Sequence, residues 1–307
     1  MNKKPKVIFL SANAFSGSTI FSLFLGKHSN ITNLGEVINL EHDYNENLIC
    51  TCGDRVFNCT YWHEIKEKLN QSISKGLLNF SLSSNKKRSL IDKKGLSFKK
   101  LLILLGFSPQ VVYGEESINN YIEKNINFFK EIDKYHNRSK YIVDSSKPPE
   151  RLDILLESSE IDIYCIYLKR NLKSLFDSNI KREKKTRKII GFKFYRELIL
   201  LYFREKHRRK VFNKVKEGNK LTVDFENFKN NPQIEYSRVL NFLKCSPNSS
   251  NEFDRNLEIK KQHIYVGNRW IFNKKNEKII LETENTKHIK KEYFQTKLVD
   301  LVFKNYK

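Results

Sequence analysis

The sequence predicts an α/β protein, a parallel sheet flanked by helices. Two observations carry that expectation. Short apolar runs alternate with helix-like stretches along the chain, the order that builds a parallel sheet covered on both faces. The first apolar run, at residues 7–10, leads through a small polar loop straight into a helix, which sets backbone N–H groups at a helix N-terminus.

The elements follow in order. Residues 7–10 read as a buried first strand, and residues 18–27 as a helix whose Ile20, Phe21, Leu23, Phe24 and Leu25 supply apolar contacts. A second short strand is expected at 31–34. Residues 62–129 are helix-rich, interrupted by a polar, basic connection at 81–100. Tyr141-Ile-Val-Asp144 reads as a strand, and Pro148-Pro149 opens a helix over 151–157. A strand at 161–168 precedes a helix at 172–182, and a long basic helix covers 192–215. A strand at 221–225, a helix from Asn231-Pro232 to about residue 244 and a last helix at 291–306 complete the chain. With no internal repeat and no clean linker, residues 1–307 read as one domain carrying a helix-rich insertion at about 62–135.

Its 307 residues suffice for a large core, and 39% apolar content is that of a globular chain. No apolar run reaches the roughly 18–20 residues of a membrane span. The basic start followed by a short apolar run has the outline of a signal peptide, but the polar Ser-Gly-Ser-Thr that follows argues against one. Cytoplasmic localisation is expected, with peripheral membrane contact left open. The net charge of +22 invites a polyanion-binding reading. Yet there are 43 Lys and 32 Asn against 2 Ala, a skew that inflates lysine without regard to function. No nucleic-acid partner is therefore expected, and the basic runs at 184–188 and 204–210 read as solvated helix faces.

Five cysteines with no signal peptide favour a reducing compartment. Cys165 lies in a strand-like run and reads as core, and Cys245 follows a helix. The cluster Cys50-x-Cys52-Gly53, Cys59 and Trp62-His63 leaves three readings open: reduced thiols, one disulfide, or a zinc on three Cys and one His.

Three motifs carry chemistry. Ser16-Gly17-Ser18-Thr19 sits between strand and helix and suits an oxyanion, with Gly17 admitting close approach and hydroxyls joining the N–H donors. It lacks the Gly-Lys pair of nucleoside-triphosphate loops, which weighs against the alternative of a nucleotide kinase or NTPase. Asp144-Ser145-Ser146-Lys147-Pro148 follows a strand, so Lys147 belongs at the same sheet edge. Arg170 ends another strand, and Ser178 and Arg182 follow on the next helix, where a guanidinium fork and a hydroxyl could hold a phosphate.

Together these motifs resemble the sulfotransferases that use 3′-phosphoadenosine 5′-phosphosulfate (PAPS), above all the bacterial glycan-type and tyrosylprotein-type members. The order matches: the Ser-Gly-Ser-Thr loop, Asn33-Leu34-Gly35-Glu36, the Asp144–Pro148 motif, and Arg170 with Ser178 eight residues on. Thr222-Val-Asp-Phe-Glu226-Asn-Phe resembles the family's late strand–turn segment, His263-Ile-Tyr-Val-Gly267-Asn268-Arg269 its cofactor-closing loop, and the cysteine cluster recurs in the bacterial branch. The resemblance spans residues 7–63 and 140–269.

It implies a P-loop-containing nucleoside triphosphate hydrolase-like fold and a sulfuryl transfer from PAPS to a hydroxyl of a saccharide, glycolipid or lipid-linked glycan. Ser16, Gly17, Ser18 and Thr19 would cradle the 5′-phosphosulfate, and Arg170 and Ser178 the 3′-phosphate. Gly267, Asn268 and Arg269 would close over the nucleotide. Glu36 would act as general base and Lys147 at the leaving group, with no metal expected in the reaction. Two departures stand out. Phe15 replaces the Lys or Arg common before Ser-Gly, and Arg170-Asn171-Leu172 replaces Arg-Asp-Pro. A non-catalytic polyanion-binding protein is the other alternative, one whose binding would be indifferent to Lys147.

Overall fold

The computed structural model describes residues 4–14, 16–72, 80, 98–136, 140–171, 175, 192–246, 256–267 and 278–280. Five parallel strands form one sheet: β1 (Lys6–Ala12), β2 (Ile31–Asn33), β3 (Tyr141–Lys147), β4 (Asp162–Lys169) and β5 (Lys220–Asp224), in the order β2-β3-β1-β4-β5. The parallel, helix-flanked sheet expected from the sequence is the one observed. Residues 7–10 are fully buried because β1 is central, with Val7 opposite both Ile142 and Ile163. A strand covered on both faces needs apolar side chains in both directions. A short antiparallel pair, β6 (Asn256–Glu258) and β7 (Lys278–Ile280), lies apart from this sheet.

Helix α1 (Ser18–Leu25) follows β1 and packs against β1, β2 and β3. It is apolar nearly all round, and Phe21 to Leu25 are all buried. It stops two residues short of the expectation because Gly26 caps it, its N–H reaching Ser22 O at 2.9 Å. A short helix α2 (Leu40–Asn45) precedes the helix-rich stretch, which holds α3 (Thr60–Ser72), α4 (Phe98–Leu104), α5 (Pro109–Tyr113) and α6 (Glu115–Tyr135). Trp62, Ile65, Phe128 and Phe129 from this stretch share one buried apolar cluster with the sheet residues Val7 to Leu10. Helix α7 (Pro149–Leu155) starts at a proline that needs no N–H partner in the first turn.

β5 ends at Asp224, one residue before the expectation. The Asp224 side chain accepts from the N–H groups of Glu226 and Asn227, so Phe225 opens the Phe225–Asn230 helix instead of extending the strand. The long basic helix spans Phe192–Lys214, and a helix covers Pro232–Phe242. The helices expected at 172–182 and 291–306 and the basic run at 184–188 lie outside the described residues. Among the described residues no helix is long and apolar enough to cross a membrane.

Parallel register puts the C-terminal ends of all five strands on one edge: Ser11 opposite Lys147, Ala12 opposite Leu168, Lys169 opposite Asp224, Asn33 opposite Val143. That edge is where an open α/β sheet binds its ligands.

Candidate functional site

The loop after β1 is fixed from below. Asn13 donates to Glu205 Oε2 (3.1 Å) and accepts from Arg208 (2.6 Å), and Arg208 also donates to Ala12 O (2.8 Å). Glu205 is fully buried and also accepts from Tyr167 and Arg209. Burial pushes the Glu205 carboxyl up, but Arg208, the Tyr167 hydroxyl, Asn13 and Arg209 outweigh it and hold it below the usual carboxylate range. The run at 204–210 is therefore not a solvated face. Glu205, His207 and Arg208 are buried, and Arg208 braces the loop.

Above this brace, Gly17 takes φ +82° as the N-cap of α1, and its carbonyl receives the Phe21 N–H at 2.9 Å. A Cβ there would lie 2.0 Å from the Phe225 ring, so only glycine lets that ring sit against the loop. Ser16 is fully buried, and its hydroxyl has no hydrogen-bond partner among the described residues. Ser18 begins α1 and Thr19 follows it. Phe15 lies outside the described residues.

Glu36 and Lys147 meet. Their side chains are 16% and 19% exposed, and Lys147 Nζ donates to Glu36 Oε1, while Glu36 Oε2 accepts from Asn39 at 2.9 Å. Glu36 is not inside a helix. It caps a short 3-10 turn at Val37–Asn39. Lys147 ends β3 with φ +76°, past a bulge that gives β3 one residue more than β1 between Phe9 and Ser11. Asp144 sets this turn, accepting from the N–H of Ser146 (2.9 Å) and from its hydroxyl. Ser146 Oγ in turn accepts from Ile38 N (3.0 Å), tying the lysine turn to the glutamate turn. Arg151, fully buried, donates to Asp144 Oδ2 at 2.8 Å and to the Tyr121 hydroxyl on α6.

Arg170 follows β4. Its Nε donates to Glu226 (3.3 Å), and its guanidinium lies 5.8 Å from the centre of the Phe225 ring, the ring that packs on Gly17. The segment 259–267 crosses nearby, held by Gln262 to Leu23 O (2.8 Å) and to Asn33 (3.1 Å). Gly35, at φ +70°, lets Val266 approach, since a Cβ there would lie 2.6 Å from Val266 Cγ2. At its end, the Cβ position of Gly267 lies 3.7 Å from Glu36 Oε1 and 3.8 Å from Thr19 Oγ1. Thr19, Glu36, Lys147 and Gly267 thus come together. Ser178, Arg182, Asn268 and Arg269 lie outside the described residues.

The cysteine cluster also assembles, with a change of partner. Cys50, Cys52 and Cys59 are free thiols gathered with His263, whereas His63 is exposed. His63 follows Trp62 on α3, and the buried Trp62 turns it to solvent. Sequence reading missed His263 because it lies 204 residues beyond Cys59. It also missed Phe225, Glu205, Arg208 and Arg151. A proline-opened helix after the Asp144 motif hinted at Arg151, while an acidic residue inside a basic run was the only hint of Glu205.

No protein-family model matches the chain, and no curated protein matches it. Among solved structures it is similar to the sulfotransferase domain from the curacin biosynthetic pathway, at 15% identity and TM-score 0.48 with 99% of each chain covered. It is similar to the sulfotransferase domain of the Synechococcus olefin synthase, at 14% identity and TM-score 0.47, covering 99% of this chain and 97% of that one. It is also similar to a sulfotransferase from Mycobacterium avium, at 10% identity and TM-score 0.47, covering 99% of this chain and 76% of that one.

Proposed function

We propose that the chain is a sulfotransferase that moves the sulfuryl group of PAPS to a hydroxyl of a saccharide or glycolipid. The observation that carries this reading is the pairing of Glu36 with Lys147, 111 residues apart in sequence, beside Thr19 at the start of α1. A base and a cation side by side at a helix N-terminus suit transfer of an anionic group between two oxygens. The motif order supports the family reading, and the glycan-type resemblance supports the acceptor class.

The residues present fit the donor. The orphaned hydroxyl of buried Ser16, the N–H groups at the start of α1 and Arg170 at the next strand end supply donors of the kind a doubly phosphorylated nucleotide needs. Bound there, PAPS supplies an activated sulfuryl group for in-line transfer. Ser16 to Thr19 orient its 5′ end through N–H and hydroxyl groups. Arg170 can exchange its contact with Glu226 for one with the 3′-phosphate. Glu36 Oε1 takes the proton of the attacking hydroxyl. Lys147 Nζ leaves Glu36 and donates to the bridging oxygen as charge grows on it. The Asp144–Arg151 pair keeps the lysine turn in place while this exchange occurs.

Calorimetry with the product nucleotide, 3′-phosphoadenosine 5′-phosphate, against ATP tests the reading. The expected result is magnesium-independent binding of the first, weakened in Arg170→Ala, and much weaker binding of ATP. Failure to bind the product nucleotide overturns the proposal. Sulfate transfer to a panel of saccharides, glycolipids and phenols then tests the acceptor class.

A further inference from the structure

We propose that Cys50, Cys52, Cys59 and His263 form a structural zinc site that fastens the cysteine loop to the segment ending at Gly267. The four ligand atoms lie within 4.8 Å of one another. Cys59 Sγ is 3.7 Å from both Cys50 Sγ and Cys52 Sγ and 3.4 Å from His263 Nδ1. A tetrahedral zinc with ordinary bond lengths sets its sulfur atoms about 3.8 Å apart and sulfur and nitrogen about 3.6 Å apart. The spacing is too long for a disulfide, whose sulfurs are about 2 Å apart. Cys59 is equally placed toward two thiols, as a tetrahedron requires and a single bond does not.

The surroundings prepare the same geometry. Cys50 N–H bonds Asp54 O (2.8 Å) and Gly53 N–H bonds Cys50 O (2.9 Å), closing a tight turn that brings Cys50 and Cys52 together. Gly53, at φ +104°, makes that turn. Thr51 clamps the far segment with two bonds, its N–H to Ile264 O (2.8 Å) and its hydroxyl from Ile264 N–H (2.9 Å). The His263 ring is aimed by Tyr61, stacked on it at 5.0 Å with 14° between planes, and His263 O accepts from the Trp62 indole. Burial pushes the Cys50 and Cys59 thiols up and the His263 imidazole down. When Zn²⁺ binds, each thiol passes its proton to solvent, leaving three thiolates and a net charge of −1. Four protein ligands leave no open position, which makes the site structural and not catalytic.

The inference does not rest on the sulfotransferase reading, because its readout is metal and not turnover. The full chain, purified under reducing conditions, is analysed for metal and then loaded with Co²⁺. The expected result is one zinc per chain, and for cobalt both tetrahedral visible bands and near-ultraviolet thiolate charge transfer. His263→Ala should weaken zinc binding at least 100-fold. His63→Ala should leave it unchanged. If His263→Ala does not fold, His263→Cys serves instead, keeping four ligands and strengthening the charge-transfer band. A chain with no bound metal and no thiolate–cobalt band overturns the proposal. So does a native disulfide among the three cysteines by mass spectrometry, or metal lost in His63→Ala but retained in His263→Ala.

Discussion

Lys147 occupies a backbone conformation that side-chain-bearing residues avoid, φ +76°, directly before Pro148. Such a conformation costs a residue with a Cβ about 1–2 kcal/mol. Glycine would carry no such cost, so a lysine held there points to a use for its amine. Comparing Lys147→Gly with Lys147→Ala isolates the strain, because both lose the contact with Glu36. Lys147→Gly should be more stable than Lys147→Ala by about 1 kcal/mol in urea unfolding; equal stabilities would remove strain from the account. Both should lose turnover, as should Glu36→Gln, by about 100-fold or more, the usual consequence of deleting one group acting on the transition state. Sulfate-transfer assays on folded variants measure it, and near-wild-type rates in Glu36→Gln would exclude Glu36 as the base.

At the scale of elements, the Phe192–Lys214 helix supports the loop through a charged network that its own composition conceals. Glu205 and Arg208 are both buried, and removing one partner of a buried pair costs about 3–5 kcal/mol. Arg208→Ala should approach that loss, while Arg209→Ala, whose side chain is 34% exposed, should cost far less. Chemical unfolding ranks them, and equal losses would refute the brace. The Glu205 carboxyl is held below its ordinary value by Arg208, Tyr167, Asn13 and Arg209 against the opposing effect of burial. A depressed folded-state value contributes stability above the unfolded value, about 4.3, and loses it as pH falls through the folded one. The stability gap between wild type and Glu205→Gln should therefore be full at pH 7 and narrow below pH about 4. The strands and α1 were legible because burial on both sides leaves an unbroken apolar run, as at 7–10. The brace was not legible, since a run of basic residues has the same letters whether it faces water or a buried glutamate.

For the whole molecule, what was legible in the candidate site follows the parallel register. Loops after β1, β3 and β4 must reach one sheet edge, so Gly17, Lys147 and Arg170 could be placed there from strand ends alone. Phe225 and His263 could not, because each acts through a packing contact between segments more than 200 residues apart in sequence. The net charge of +22 divides the same way. Among the described residues, lysines such as Lys134 and Lys214 are exposed and can attract any polyanion, and such binding decays steeply with salt, by about 10³-fold or more between 50 and 200 mM when six or more phosphates are contacted. A nucleotide held by one loop, Lys147 and Arg170 replaces few counterions and keeps directed hydrogen bonds, so its binding should weaken much less over that range. At one fixed concentration, about 100 times its dissociation constant in 50 mM salt, the product nucleotide should add about 2.7 kcal/mol of stability in that salt. Thermal unfolding at 50 and 200 mM salt, with 3′-phosphoadenosine 5′-phosphate in one series and a single-stranded oligonucleotide in the other, separates the two kinds of binding. The nucleotide's upward shift should persist at 200 mM and shrink in Arg170→Ala, while the oligonucleotide's should vanish with salt and ignore Arg170. The reverse pattern would assign the charge to a polyanion partner and leave Arg170 with no part in nucleotide binding.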